Sequence, residues 1–287
     1  MRVLCLICRS VPGLSLCRRD PWSRSRAMRR TSTAGNMRIL LAVLALAIAG
    51  CGDSTVSPAI DKMVAPTADK PRLGLFTSLP ILWAGNDALE ALAKGETSTH
   101  WAQDALRKNY QLQLIDLLEV ASLAGLDTLV LAQPRALSPA ENVALDNWVR
   151  GGGQVLLFAD PKLVGDYDFP LGDPRRPLDT VLLSPILARW GVELLQGGDA
   201  LAVRAVPIGG SDMVVAAAGQ FRPVPAEGAD CDLSHDAVLA RCTVGNGRVT
   251  MLADATLLED PVGGEGSPAA LAALLGMTRD AGGNQAR

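Results

Sequence analysis

The sequence predicts an α/β fold, a doubly wound and mostly parallel sheet, and three observations predict it. "TLVLAQ" (128–133) and "QVLLFAD" (154–160) are near-continuous apolar runs, the pattern of parallel strands buried on both faces. Between them, "SPAENVALDNWVRGGG" (138–153) carries the start and stop signals of a helix. Ser138 is placed as N-cap, Pro139 as the first helical residue, and Glu141 at the third position closes a capping box. Gly151 to Gly153 stop the helix, because glycine takes a left-handed C-terminal position without strain. Strand and helix patterns also alternate along the chain, as parallel sheets with crossover helices require.

The other elements follow in order. "RLGLFTS" (72–78) is a first strand, and 98–110 is helical with Trp101, Ala105 and Leu106 on one face. "YQLQLID" (110–116) is a second strand. In the helix over 138–150, Leu145, Trp148 and Val149 form the inward stripe. "PLDTVLLSPILARWGVEL" (177–194) reads as a helix leading into a short strand, with Pro185 kinking or restarting it. "DAVLARCTVGNGRVTMLAD" (236–254) reads as a hairpin whose turn takes its positive φ from Asn246-Gly247. "SPAALAALLGM" (267–277) is a last helix, again opened by Ser-Pro. Aromatic residues make up only 4% of the chain, so Leu, Val and Ala must fill the core. The folded part is expected over 71–277, one domain, with 278–287 as a disordered tail.

The chain before that domain has a different character. In "MRILLAVLALAIAGCGDS" (37–54), an uncharged, proline-free run ends at a cysteine. It is shorter than the roughly 20 residues a membrane-spanning helix needs. Arg38 precedes it and small residues close it, the layout of an export signal. Ile48, Ala49, Gly50 and Cys51 resemble a bacterial lipobox, which implies lipidation of Cys51 after cleavage. Two or three acyl chains form a firm anchor where one is marginal. Residues 37–50 are thus expected to be a lipoprotein signal peptide, 51–70 a lipidated tether, and 1–36 a mis-called start or a long n-region. Charge breaks at the same point. The first 50 residues hold nine Arg, no Lys and one acid, Asp20; after position 50 there are 18 basic and 29 acidic residues. An acidic mature chain is a poor candidate for binding nucleic acid or anionic lipid, and no nucleic-acid partner is expected. By analogy with lipoprotein sorting, Gly52 favours the outer over the inner membrane, facing the periplasm.

Residues 127–161, "DTLVLAQPRALSPAENVALDNWVRGGGQVLLFADP", resemble the auxiliary domain of gliding-motility-type ABC transport systems. "PLDTVLLSPILARWGVELL" and "VGNGRVTMLADATLLED" are similar to its following segments. The resemblance covers about 71–260 and implies a flavodoxin-like fold, related to class I glutamine amidotransferases without their catalytic residues. It also implies a protein partner in an envelope ABC-type system. Relatives are long and carry transmembrane helices; here a lipid anchor would replace them.

The residues offer little chemistry. No Cys stands on a strand-to-helix turn, and no G-x-S-x-G is present. The two histidines, His100 and His235, sit at a helix start and in a loop. "GGG" (151–153) ends a helix instead of opening one and "GNG" (245–247) lacks a following Gly-Lys-Ser/Thr, so neither is a phosphate loop. No cofactor is expected. Cys231, His235 and Cys242, with Asp232 nearby, match no standard zinc spacing; in an export compartment a Cys231–Cys242 disulfide is the expectation, and no metal. Ser78, Gln133, Asp160 and Asp254 fall at the C-terminal ends of strands, where open α/β sheets bind ligands. They are a candidate polar cleft, or residues that cap loops. "GDPRRP" (172–177) is a basic pair in an acidic protein, suited to an acidic partner or a solvated loop. The leading expectation is a non-catalytic envelope lipoprotein acting as an accessory of an ABC-type system. The alternatives are a periplasmic binding protein for a small polar or glycan ligand, and a hydrolase built on Asp160 and Asp254.

Overall fold

The computed structural model describes residues 70–82, 99–259 and 264–279, less 166, 168, 171, 174, 175 and 199–201. All of them lie in the compact unit formed by 66–287. The lipobox residues Ile48, Ala49 and Gly50, Cys51, the tether and the tail from 280 lie outside the described residues.

Strands β1 (Arg72–Thr77), β2 (Gln111–Leu114), β3 (Thr128–Ala132) and β4 (Gln154–Phe158) stand where the apolar runs place them. Helices α1 (Trp101–Asn109), α2 (Val120–Leu123) and α3 (Pro139–Arg150) alternate with them. Beyond β4 come α4 (Ser184–Arg189), β5 (Val192–Leu195), β6 (Val203–Ile208), β7 (Ser211–Ala216), β8 (Gln220–Pro223) and β9 (Ala229–Ser234). The described chain ends with β10 (Leu239–Val244), β11 (Gly247–Leu252), α5 (Thr256–Glu259) and α6 (Ser267–Arg279).

Seven strands form one sheet in the order β2-β1-β3-β4-β11-β10-β9. The first five are mutually parallel, and β10 and β9 extend the sheet as antiparallel strands. Numbered by their parallel members alone, the strands run 2-1-3-4-5, the flavodoxin-like order, with its topological switch between β1 and β3. Two small antiparallel pairs, β5–β8 and β6–β7, stand apart from the sheet.

Side-chain alternation along the strands divides the core in two. Leu73, Leu75, Val130, Leu156 and Phe158 pack with α1, α6 and the β6–β7 hairpin. Leu129, Leu131, Val155, Leu157 and Met251 pack with α3, α4 and the fully buried Trp190. Covering both faces is why β3 and β4 read as unbroken apolar runs.

The helix α3 is built as its sequence dictates. Ser138 Oγ accepts from Glu141 N at 3.2 Å, and Glu141 Oε2 accepts from Ser138 N at 2.9 Å. Leu145 and Val149 are completely buried, while Trp148 is only partly so. Gly152 takes the positive φ, 120°, and a Cβ on Gly153 would lie 2.4 Å from the Trp148 ring.

Two expectations are corrected. The helix over 177–194 begins only at Ser184. Residues before it tie down strand ends instead: Leu178 O accepts from Gln133 Nε2 at 3.0 Å, and Val181 N donates to Asp160 O at 3.0 Å. Pro185 restarts a helix, its missing N–H costing nothing in the first turn. The second correction concerns the β10–β11 turn, which is Gly245-Asn246, with the positive φ of 58° at Gly245. Gly247 already belongs to β11 and is needed for close approach, since a Cβ there would stand 2.0 Å from Val149 O.

Candidate functional site

The C-terminal ends of the parallel strands form the candidate site, and Gln133 is its organiser. It follows β3 with a left-handed φ of 43°, an uncommon conformation for a residue with a side chain. Its amide holds that backbone in place. Gln133 Oε1 accepts from Asp160 N at 2.8 Å, and Nε2 donates to Asp160 O at 3.1 Å and Leu178 O at 3.0 Å. The side chain thus prolongs the β3–β4 pairing beyond the last backbone ladder bond. Ser78 Oγ, after β1, donates to Gln133 O.

Asp160 and Asp254 end β4 and β11, and both are completely buried. Asp160 Oδ1 accepts from Lys162 N at 2.7 Å, and Oδ2 from Ala255 N at 3.2 Å. Asp254 Oδ1 accepts from Thr256 N at 2.8 Å; its Oδ2 accepts from Ala216 N at 2.9 Å and from Thr256 Oγ1 at 3.2 Å. Every carboxylate oxygen therefore has a donor within the fold. Glu259 adds a third acid, its Oε1 accepting from Gly165 N at 2.6 Å and Tyr167 Oη at 3.0 Å. Desolvation dominates the electrostatics here. It raises the Asp160 pKa to about 6, against the backbone N–H groups of Lys162 and Ala255, which favour the charged form. Burial, and then the neighbouring Asp160 charge, raises Asp254 well above its ordinary 3.8. Burial raises Glu259 as well, and burial together with the Glu259 charge raises Tyr167.

Of the four residues expected to line an open polar cleft, Gln133, Asp160 and Asp254 are closed off from solvent. They act as clamps on the chain that follows each strand. Only Ser78 keeps partial exposure.

The open space lies one step to the side, over the β1/β3 switch point. A cavity of about 350 Å³ is lined by Ser78 after β1, Arg135 after β3, and, beyond β4, Gly172, Asp173 and Arg176 to Asp179. Arg135 is held by Glu141, at 2.7 Å from Nη2 to Oε1 and 3.0 Å from Nη1 to Oε2, and stacks 5.0 Å from the centre of the Phe76 ring. That arginine is the first cause of the Glu141 pKa falling to about 2. Arg176 binds the loop to itself: Nη1 donates to Tyr167 O and Phe169 O, both at 3.1 Å, and Nη2 to Asp179 Oδ1 at 3.1 Å. The basic pair in "GDPRRP" flagged this loop; nothing in the sequence singled out Arg135.

The remaining candidates sit elsewhere. Cys231 and Cys242 face one another directly across β9 and β10 and are joined as a disulfide. His235 lies in the β9–β10 turn, where its Nε2 is 3.0 Å from Pro207 O. His100 caps α1, with Nδ1 accepting from Ala102 N at 3.1 Å. Among the described residues no group of three His, Cys, Asp or Glu is arranged to hold a metal ion.

Comparison with known proteins gives the following. No curated protein matches the chain. Among solved structures, the cytoplasmic protein STM3548 from Salmonella typhimurium is 12% identical, with a TM-score of 0.43 over 73% of this chain and all of that one. A ThuA-like protein from Bacteroides uniformis is 11% identical, TM-score 0.37, over 77% of this chain and 98% of that one. The exo-β-1,4-mannosidase Op5Man5 from Opitutaceae bacterium strain TAV5 is 14% identical, TM-score 0.39, over 65% of this chain; the match spans only 31% of the mannosidase. A family model described as "ABC-type uncharacterized transport system" matches residues 70–226, from just before β1 through β8 and the site loops. That match takes in more than half of the 287 residues, and the chain belongs to this family of ABC transport auxiliary proteins.

Proposed function

We propose that the protein is a non-catalytic accessory of an ABC-type transport system, tethered to the cell envelope through lipid on Cys51 and acting by protein contact. One observation carries the non-catalytic reading: the strand-end acids Asp160 and Asp254 are buried and have every oxygen engaged by backbone or threonine donors. A general acid or base needs its proton within reach of a substrate. The envelope address rests on the run ending at Ile48-Ala49-Gly50-Cys51 and on the charge break at position 50. Among the described residues, no helix is long and apolar enough to cross a membrane. The outer membrane, periplasmic face, is the proposed location, on the strength of Gly52.

The test is affinity purification of the tagged chain from detergent-solubilised envelopes after cross-linking. Recovery of an ATP-binding cassette subunit or its permease, lost for Cys51→Ala, is the expected result. Recovery of neither, from a protein shown to be lipidated, overturns the reading.

A second reading, a periplasmic binding protein for a small polar or glycan ligand, draws on the cavity of about 350 Å³ over the β1/β3 switch point. That is the crevice where sheets of this strand order take their ligands, and its volume is at the lower end of the range for ligand pockets. The hydrolase reading, built on Asp160 and Asp254, draws only on their raised pKa values. Turnover lost in Asp160→Asn is its test.

A further inference from the structure

We propose that the free edge of β2 is an interface for a second copy of this chain, the two β2 strands pairing antiparallel about a two-fold axis at Gln113.

The sheet ends at β2, which pairs with β1 alone. That pairing fixes which backbone groups are used. Gln111 N donates to Pro71 O and Ile115 N to Leu75 O, both at 3.0 Å. In a parallel ladder alternate residues turn their N–H and C=O to the same neighbour. Residues 111, 113 and 115 therefore serve β1, and Leu112 and Leu114 point both groups outward. Among the described residues no backbone group pairs with them on that side.

Edge strands are ordinarily blunted by charge, proline or a bulge. At the other end of the sheet β9 follows that rule with Asp230 and Asp232, both exposed. β2 does not. Its "QLQL" has no charge and no proline, and its register with β1 runs unbroken from Arg72 to Leu75. Large apolar side chains are also left in solvent here: Leu114 is 48% exposed, Leu117 53% and Val120 78%, three within seven positions of the chain.

Self-complementarity identifies the occupant. An antiparallel neighbour exchanges its hydrogen bonds in pairs. With the axis at Gln113, Leu112 of each copy meets Leu114 of the other, and every outward N–H and C=O of the two leucines is used. Leucine then lies beside leucine on the face where Leu112 packs with the α1 cluster. Gln113 faces its own copy, amide to amide, each able to donate and accept. Neighbouring registers fit less well. An axis at Leu112 calls on Tyr110 N, which is spent on Leu106 O at 2.9 Å. An axis at Leu114 calls on Asp116 O, which already accepts from Arg135 Nη2 at 2.9 Å. So short a ladder makes a weak dimer, and the test therefore traps it covalently.

Residues facing one another at a non-hydrogen-bonded position have Cα atoms about 4.5 Å apart, within the span of a disulfide. Full-length Gln113→Cys is expected to oxidise to a covalent dimer in which mass spectrometry finds residue 113 joined to residue 113. Gln111→Cys is the control on the same edge: its two copies would stand about 13 Å apart along the strands and should not join to each other. Sedimentation velocity reads the untrapped dimer. Like charges facing directly weaken a cross-strand pair and opposite charges support it, so Gln113→Lys and Gln113→Glu should each raise the dissociation constant about fivefold, and an equimolar mixture should restore it. Gln113 is exposed, so neither change touches the core. Self-linking at 113 no greater than at 111 overturns the interface, as does a chain that stays monomeric or charge variants that associate like the wild type. A mixture no tighter than either variant alone overturns the axis at Gln113.

Discussion

Burial of Asp160 has a measurable consequence for stability against pH. Its folded pKa is about 6 against an ordinary 3.8. A group with a raised folded pKa binds its proton more tightly when folded, so the native state holds more protons than the unfolded state between those values. Stability then falls as pH rises from about 4 to about 6 and levels off above. The shift corresponds to about 3 kcal/mol at 1.36 kcal/mol per unit. Asp254 and Glu259, both raised by burial, add to the fall in the same direction. Urea unfolding followed by circular dichroism at pH 4.5, 5.5, 6.5 and 7.5 measures it. The variant Asp160→Asn keeps one oxygen for Lys162 N or Ala255 N and presents its amide to the other, a mismatch of about 1–3 kcal/mol. That cost is present at every pH, so the variant should be less stable at pH 4.5 and gain on the wild type by about 2 kcal/mol on reaching pH 7.5, the first third of the full shift lying below pH 4.5. Parallel curves for the two proteins would refute the assignment of the shift to Asp160. A wild type whose stability rises from pH 4.5 to 6.5 would refute the desolvation argument itself.

Glu141 behaves in the opposite sense in a lower window. Its folded pKa of about 2 lies below 4.5, so its contribution is present above 4.5 and is lost as pH falls toward 2. Because Arg135 is 42% exposed, Glu141→Gln should cost only about 1 kcal/mol at pH 7, read from the urea midpoint. Ser138→Ala removes the Oγ that accepts from Glu141 N and should cost about 1 kcal/mol by the same assay. Reduction of Cys231–Cys242 should lower stability by about 2–3 kcal/mol, and thiol labelling of the unfolded, unreduced chain should find neither cysteine reactive. Intact-mass measurement of membrane-extracted protein should give a chain starting at Cys51 plus acyl groups, and Cys51→Ala should abolish the added mass.

How legible the fold was depended on how each element is stabilised. The strands β3 and β4 and the helix α3 announce themselves because local signals and burial agree: apolar runs on both faces, Ser138 and Glu141 at one end, Gly152 at the other. Strands β6 to β9 escaped because each has a partly exposed or alternating burial pattern, whereas β5 stands where the short strand after the helix was expected. The β6–β7 hairpin did carry a signal, Gly209-Gly210 with φ of 60° and 86°, of the kind two-residue turns prefer. The error over 177–183 has a different origin. Those residues have helical neighbours and apolar character, but their backbone groups are taken by Gln133, Asp160 and Leu163, which lie far away in sequence. A periodicity argument sees only local competition for the backbone.

The site divides along the same line. That polar residues at strand ends matter is readable from their position, and Ser78, Gln133, Asp160 and Asp254 do converge on the C-terminal side of the sheet. Whether such a residue faces a ligand or clamps a loop depends on which donors the next segment delivers, and here the backbone N–H groups of Lys162, Ala255, Ala216 and Thr256 arrive first. The acids nearest the axis of the sheet are thereby consumed by the fold. The partly exposed polar groups lie further out, at Ser78 and Asp179, the latter paired with Arg176. Arg135 was invisible for a related reason: its role follows from Glu141, which the capping box had already explained in full. One carboxylate thus closes a helix terminus and neutralises a cavity wall at once. Replacing Glu141 with Gln keeps a hydrogen-bond acceptor for the cap but leaves Arg135 uncompensated, so the same change that costs little stability should turn the cavity toward anions. Tighter binding of acetate or phosphate by Glu141→Gln than by the wild type, read by calorimetric titration, would show that the charge paired with Arg135 governs what enters; unchanged binding would refute it.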